Sequence, residues 1–241
     1  LHAREPENGE PTYKKDYYAR MIGSIRERHP ELVLCVSTSG RNFSEFEKRS
    51  ECLELEGDLR PDFGSLTLSS LNFNKQASVN SPQMIQDLAR KMLERGIKPE
   101  LEAFDLGMIN YAHYLSRKGL VKPPYYFNLI LGNIACAQAN LLSLGLMVKE
   151  LPDGAIWSVG GVGDAQLQMN AMSLVAGGGV RVGLEDNIFY DSSRTRLASN
   201  REMIERVLVI AEAMGRQPYS HAEARRLLMG AGEPAGTDER T

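Results

Sequence analysis

Short apolar runs alternate with longer stretches of helical period along almost the whole chain, and this alternation limits the fold more than any other feature. The runs are residues 32–37 (LVLCVS), 63–68 (FGSLTL), 100–104 (ELEAF), 126–131 (YFNLIL), 155–159 (AIWSV) and 180–184 (VRVGL). Helical patterns fall at 17–28, 43–55, 81–95, 108–118, 135–149, 165–176 and 200–214. In the third, Met84, Ile85, Leu88, Met92 and Leu93 form one stripe, Ser81 and Pro82 supply a start, and Gly96 a stop. Strands that alternate with helices at this spacing predict βαβ units and a parallel sheet. Six strand–helix units follow one helix and a stub, Leu1-His2-Ala3, whereas a closed (β/α)8 TIM barrel needs eight strands. The pattern therefore predicts an α/β TIM barrel without its first strand–helix unit and most of its second strand, roughly 40 residues. No linker divides the chain, so residues 1–232 are expected to form one domain and 233–241 (PAGTDERT and the residue before it) a flexible tail.

The 241 residues are 42% hydrophobic and 24% charged, which suits a large core. A net charge of −3 gives no reason to expect a nucleic-acid partner. Cys35, Cys52 and Cys136 form no CxxC pair, so neither a disulfide framework nor a thiolate zinc site is indicated, and a reducing, cytoplasmic setting is expected. The most apolar stretch, 129–148 (LILGNIACAQANLLSLGLMV), is broken by Gly132, Asn133, Gln138 and Asn140. It reads as a strand end followed by a buried helix and not as a membrane span.

In such a barrel the chemistry collects at the carboxyl ends of the strands. Those ends carry His2 and Arg4; Ser37, Thr38, Ser39 and Gly40; Ser69, Ser70 and Asn72; Glu102 and Asp105; Asn133; Ser158, Gly160 and Gly161; and Arg181, Glu185 and Asp186. In VRVGLEDN (180–187), period-2 alternation puts Arg181 and Glu185 on one side and Val180, Val182 and Leu184 on the other. An inward arginine and carboxylate are costly unless paired or metal-bound, so the pattern fits a structural ion pair and a reactive site equally. A single histidine at a strand end, His2, is by itself weak evidence of a ligand. His29, His113 and His221 belong to helices or their ends and are not read as ligands. The turn SVGGVGD (158–164) can hold an anion on its backbone amides or serve only as a tight turn; it is neither GxGxxG nor a P-loop. STSGR (37–41) offers hydroxyls, a free backbone and a cation, which suits a small carboxylate, and such turns also occur without function.

LHAREPENGEPT, STSG, SLTLSSLNF, PELEAFDLGMI, WSVGGVG and GGGVRVGLEDN follow one another in the chain. Together they resemble the β-keto acid cleavage enzymes, the family of the 3-keto-5-aminohexanoate cleavage enzyme, from residue 1 to about 230. The resemblance implies a zinc-dependent TIM barrel in which a β-keto acid and acetyl-CoA give acetoacetate and a new CoA thioester. Family members hold zinc through an HxH strand end and a strand-eight glutamate. The matching residues are His2 and Glu185, the first histidine of the pair falling before Leu1. Arg181 and Asp186 match the pair that acts in proton abstraction. Ser39 and Gly40, with Thr67 and Glu102, match substrate-binding positions, and Ser39 also counts with the catalytic set. Homo-oligomeric assembly is implied as well. The chain departs from the pattern at Gly179, where relatives carry a bulkier residue, often histidine, and at Asp164, where a basic residue is common.

The chemistry is coherent: loss of a proton from a β-keto acid develops enolate charge, which zinc and Arg181 would stabilise. Two rival readings of the same residues are a metal-dependent hydrolase or aldolase, which would need no thioester, and a non-catalytic barrel scaffold, which would need no intact Arg181, Glu185 and Asp186.

Overall fold

A computed structural model describes residues 1–230, so the expected tail at 233–241 lies outside the described residues. One parallel sheet of six strands forms the centre. Its strands are β1 (Cys35–Val36), β2 (Phe63–Thr67), β5 (Lys98–Ala103), β6 (Tyr126–Leu131), β7 (Ile156–Gly161) and β8 (Gly179–Val180), neighbours in that order. A short antiparallel hairpin, β3 (Leu71–Asn72) with β4 (Ala77–Ser78), follows β2. Helices α1 (Lys15–Arg28), α2 (Phe46–Ser50), α3 (Pro82–Glu94), α4 (Leu106–Arg117), α5 (Leu141–Lys149), α6 (Ala165–Val175), α7 (Asn200–Ala213) and α8 (His221–Met229) supply the outer layer.

Alternation along each strand separates two environments. Val36, Leu66, Leu101, Ala103, Phe127, Leu129, Leu131 and Val159 are buried against the helices. The opposite face carries Cys35, Ser65, Thr67, Glu100, Glu102, Tyr126, Asn128 and Ser158, registered side by side across the sheet. Barrel interiors are usually filled with branched apolar residues; here the inner face is polar. The sheet curls around that face. Cys35 Sγ lies 3.2 Å from Glu100 Oε2, although β2 separates their strands. On a flat sheet those strands would be roughly 10 Å apart. Leu1 runs beside β1, accepting from Ser37 N at 3.1 Å. His2 then comes within 3.5 Å of Glu185, which follows β8 at the other edge.

Several local expectations hold. Ser81 caps α3 through Met84 N, and Gly96 has φ +63 at its end. The buried stripe is Ile85, Leu88, Ala89 and Met92, while Leu93 faces outward. Other expectations change. The 43–55 helix is the short α2 followed by a 3-10 turn, Glu51–Glu54. The 135–149 helix begins only at α5, where the Asn140 side chain accepts from Ser143 N; Leu144 and Met147 are buried, but Leu141 and Leu142 are exposed. No helix among the described residues is long and apolar enough to cross a membrane. The strand expected at 180–184 stops at Val180, because the chain turns at Gly183 and Asn187 N meets Gly183 O. Val180 and Val182 pack on Leu174, Val207 and Ala211, but Leu184 lines the site with Glu185 and not the apolar side. The turn, not period-2 alternation, brings Arg181 and Glu185 together.

The end of the sheet opposite the site is closed by α8. Arg225 donates to both carboxylate oxygens of the buried Asp62, at 2.7 and 2.9 Å, and Asp62 also accepts from Leu34 N and Arg26.

Candidate active site

Residues from the carboxyl ends of β1, β2, β5 and β8 meet at a cavity of about 150 Å³. His2, Ser39, Thr67, Glu102, Arg181, Glu185 and Asp186 all line it; Gly40 stands just behind, against Arg49. The centre is Arg181. Its guanidinium donates to Asp186 at 2.7 and 3.1 Å and to Glu185 at 2.8 Å, and it approaches Glu102 at 4.0 Å. Burial opposes its charge, but these three carboxylates outweigh that and raise its pKa. Glu102 accepts from the Thr67 hydroxyl at 2.7 Å. Burial, then the neighbouring Glu100, push its carboxyl up to about 7.

The backbone that presents Arg181 is held from α6. Asn170 donates to Val159 O at 3.0 Å and Arg181 O at 2.8 Å, and Gln166 to Gly183 O at 2.8 Å; both amides are fully buried. Gly161 allows this close approach, since a Cβ there would lie 2.6 Å from Ala165 O. That packing explains one glycine of SVGGVGD without a ligand. Asp164 in the same turn pairs with Arg194 at 2.9 Å. A side chain at Gly179 would start 2.7 Å from Ser158 Oγ, so none can be added without moving Ser158.

At the opposite wall, Ser39 Oγ accepts from Arg41 N at 3.3 Å and Ser37 Oγ from Ser39 N at 3.3 Å, folding 37–41 into a compact turn. Thr38 ties the turn to β2 through Ser65, N to Oγ at 3.1 Å.

His2 Nε2 and Glu185 Oε1 stand 3.5 Å apart. Two ligands at the corners of a tetrahedral zinc site are separated by roughly 3.3 Å, from metal–ligand bonds of about 2.0–2.1 Å. The pair therefore fits two corners of one cation site. Glu185 turns its other oxygen to Arg181. No group of three His, Cys, Asp or Glu side chains able to hold a metal occurs among the described residues. The remaining histidines lie elsewhere: His113 contacts Glu150 O, and His29 and His221 face each other edge-on beside α8.

The sequence profile of the beta-keto acid cleavage enzymes matches residues 1–229. The chain belongs to the beta-keto acid cleavage enzyme family. It is 36% identical over 230 residues to a 3-keto-5-aminohexanoate cleavage enzyme of Fusobacterium nucleatum, covering 95% of this chain and 81% of the relative. It is 33% identical to a 3-oxoadipate:acetyl-CoA acetyltransferase of Cupriavidus necator, covering 95% and 79%. A 3-dehydrocarnitine:acetyl-CoA trimethylamine transferase of Rhizobium meliloti is 29% identical, covering 94% and 81%. Among solved structures, a ternary complex of ObcA with a C4-CoA adduct and oxalate superimposes with a TM-score of 0.82 at 20% identity, covering 95% of this chain and 62% of that one. The chain thus spans less than two thirds of ObcA, and this likeness concerns the barrel fold alone.

Four further residues support this arrangement, and the sequence pattern does not single them out. Glu100 stands two positions before Glu102, which was the legible signal for it. Gln166 and Asn170 are four apart on α6, facing the sheet. Arg49 is a buried arginine in α2.

Proposed function

We propose that this chain exchanges acyl groups between a β-keto acid and acetyl-CoA, releasing acetoacetate and the CoA thioester of the remaining acyl group. The balance is R–CO–CH2–COO⁻ with CH3–CO–S–CoA giving CH3–CO–CH2–COO⁻ with R–CO–S–CoA. The bond between C2 and the keto carbon breaks, and the carboxymethyl unit leaves joined to the acetyl group. The observation that carries this reading is the convergence of Arg181, Asp186, Glu102, Thr67 and Ser39 on one small cavity in a member of this family.

The residues divide the work by charge. The Ser39–Gly40 turn receives the substrate carboxylate on hydroxyl and amide donors, with the Thr67 hydroxyl beside it. Asp186 takes a proton from C2, which the flanking carbonyls acidify. Arg181, already bridging Asp186, stabilises the enolate oxygen as negative charge moves from Asp186 to substrate. Glu102, with a carboxyl pushed up to about 7, holds Arg181 from the far side and carries a proton near neutrality. His2 and Glu185 would contribute two protein ligands to a divalent cation, and zinc bound there would supply a Lewis acid for the keto and carboxylate oxygens. The larger neighbouring cavity, about 400 Å³ between Tyr13, Phe43 and Glu185, leaves room for the rest of the substrate.

The test is a panel of β-keto acids, including 3-oxoadipate and 3-keto-5-aminohexanoate, incubated with protein and acetyl-CoA, with and without added zinc. Mass spectrometry should show acetoacetate and a new CoA ester in equal amounts. Cleavage without any thioester would instead establish the hydrolase or aldolase reading, and no turnover of any member would leave the scaffold.

A further inference from the structure

Behind the 37–41 turn lies an arginine that the reaction scheme does not use. Arg49 is only 3% exposed. Its guanidinium donates to Thr38 O at 2.8 Å, Asn80 Oδ1 at 2.6 Å and Val79 O at 3.4 Å. All three acceptors are neutral, and among the described residues it forms no ion pair. Three of the five N–H groups of a guanidinium are engaged in this way, and the side chain borders the larger cavity of the site. Burial without a counter-charge lowers its pKa to about 10, so it remains a cation at neutral pH.

A buried charge that lacks an opposite charge is costly, and chains avoid it unless something else supplies the partner. The position of Arg49 bears on that partner. A Cβ added to Gly40 would lie 2.6 Å from Nη1 and 2.9 Å from Cζ. The backbone of the proposed carboxylate-holding turn therefore rests directly on the guanidinium, and only glycine permits it.

We propose that Arg49 is a positioning residue for the substrate carboxylate: its uncompensated charge, set against the back of Gly40, holds the turn in its anion-receiving form and draws the carboxylate to Ser39 and Gly40. The inference rests on the reading that this turn receives the carboxylate. Asn80 links the same guanidinium to the hairpin through Ser69 O and Ser70 Oγ, so the charge and the turn form one rigid unit.

Binding of acetoacetate and of its neutral methyl ester to the full chain, followed by calorimetric titration, separates the possibilities. Arg49→Met should weaken acetoacetate by roughly 30-fold or more and leave the ester within about twofold. Arg49→Lys, which keeps the charge, should recover most of the acetoacetate affinity. Asn80→Asp is the decisive variant, because it gives the arginine a carboxylate partner without removing it. It should weaken acetoacetate about tenfold and leave the ester within about twofold, while thermal melts read separately the lost donation from the Asn80 amide to Ser69 O. In steady state the same variants should raise KM for the β-keto acid far more than they lower kcat. Equal losses for acid and ester, or undiminished acetoacetate binding in Asn80→Asp, would overturn the proposal and leave Arg49 a structural tie. Failure of the unaltered protein to bind acetoacetate while binding the ester would instead overturn the carboxylate reading of the turn, and this inference with it.

Discussion

The guanidinium of Arg181 holds the carboxylate of Asp186 side-on, Nε to Oδ2 at 2.7 Å and Nη2 to Oδ1 at 3.1 Å. The same group reaches Glu185 at 2.8 Å and approaches Glu102 at 4.0 Å, so one cation serves three acidic side chains. A lysine could match the charge but not the planar fork that meets both oxygens of Asp186.

Arg181→Lys should therefore lower acetoacetate formation by about 100-fold or more, the usual scale for loss of an aligned donor to developing oxyanion charge. Arg181→Met should go further and destabilise the fold by about 3 kcal/mol, because it leaves the carboxylates without their cation. Turnover assays and urea unfolding check the two halves separately. Activity of Arg181→Lys close to that of the unaltered protein would show that the fork is not needed.

Glu102 predicts a pH dependence of stability. Its carboxyl is pushed up to about 7 in the fold, first by burial and second by Glu100, against 4.5 for an ordinary glutamate. The folded protein thus keeps a proton that the unfolded chain has released. This contribution is complete below about pH 4.5 and disappears as pH rises through 7. Across that window the unaltered protein should lose up to about 3 kcal/mol relative to Glu102→Gln. Denaturant titrations at several pH values measure the difference, and parallel profiles for the two proteins would refute it.

Asn170 should matter beyond its size. Asn170→Ala strands the buried carbonyl of Arg181 and leaves that of Val159 with Arg181 N as its donor, and should destabilise the fold by about 1–3 kcal/mol. Because one of those carbonyls belongs to Arg181, turnover should fall as well at temperatures where the variant is fully folded. Unchanged turnover would separate the α6 amides from the site.

Two glycines should respond in opposite ways. Gly161→Ala drives a Cβ to within 2.6 Å of backbone at Ala165 and should destabilise by about 2 kcal/mol. Gly145, inside α5, has nothing within 4 Å of a Cβ, so Gly145→Ala should stabilise by about 0.5–1 kcal/mol. Thermal melts of the two variants give the comparison.

Strand positions and the polar strand ends were legible because both follow from alternation, which the sequence states directly. YFNLIL predicts β6 to the residue, while the polar inner face that Asn128 shares with Glu102 and Ser158 emerges only from the register of the strands. The two ends of the sheet were harder. Gly183 ends β8 early, and no local signal distinguishes VRV followed by a turn from a five-residue strand. Arg181 and Glu185 do share one side, through the turn at Gly183 and not through strand alternation. Arg49 was invisible for a different reason. In EFEKRS it stands among surface charges, and its burial depends on Val79 and Asn80, some thirty positions away. Gln166 and Asn170 share that limitation, since their partners are backbone carbonyls that no side-chain pattern reveals.

The clasp between Arg225 and Asp62 joins positions 163 apart in the chain. During synthesis β1 and β2 leave the ribosome long before α8 exists, so Asp62 must wait with one arginine, Arg26, and no cover over that end of the sheet. Closure of so long a loop is slow, and α8 therefore docks after the strands that it covers. A nascent chain of this protein should therefore expose that end of the sheet until α8 has emerged.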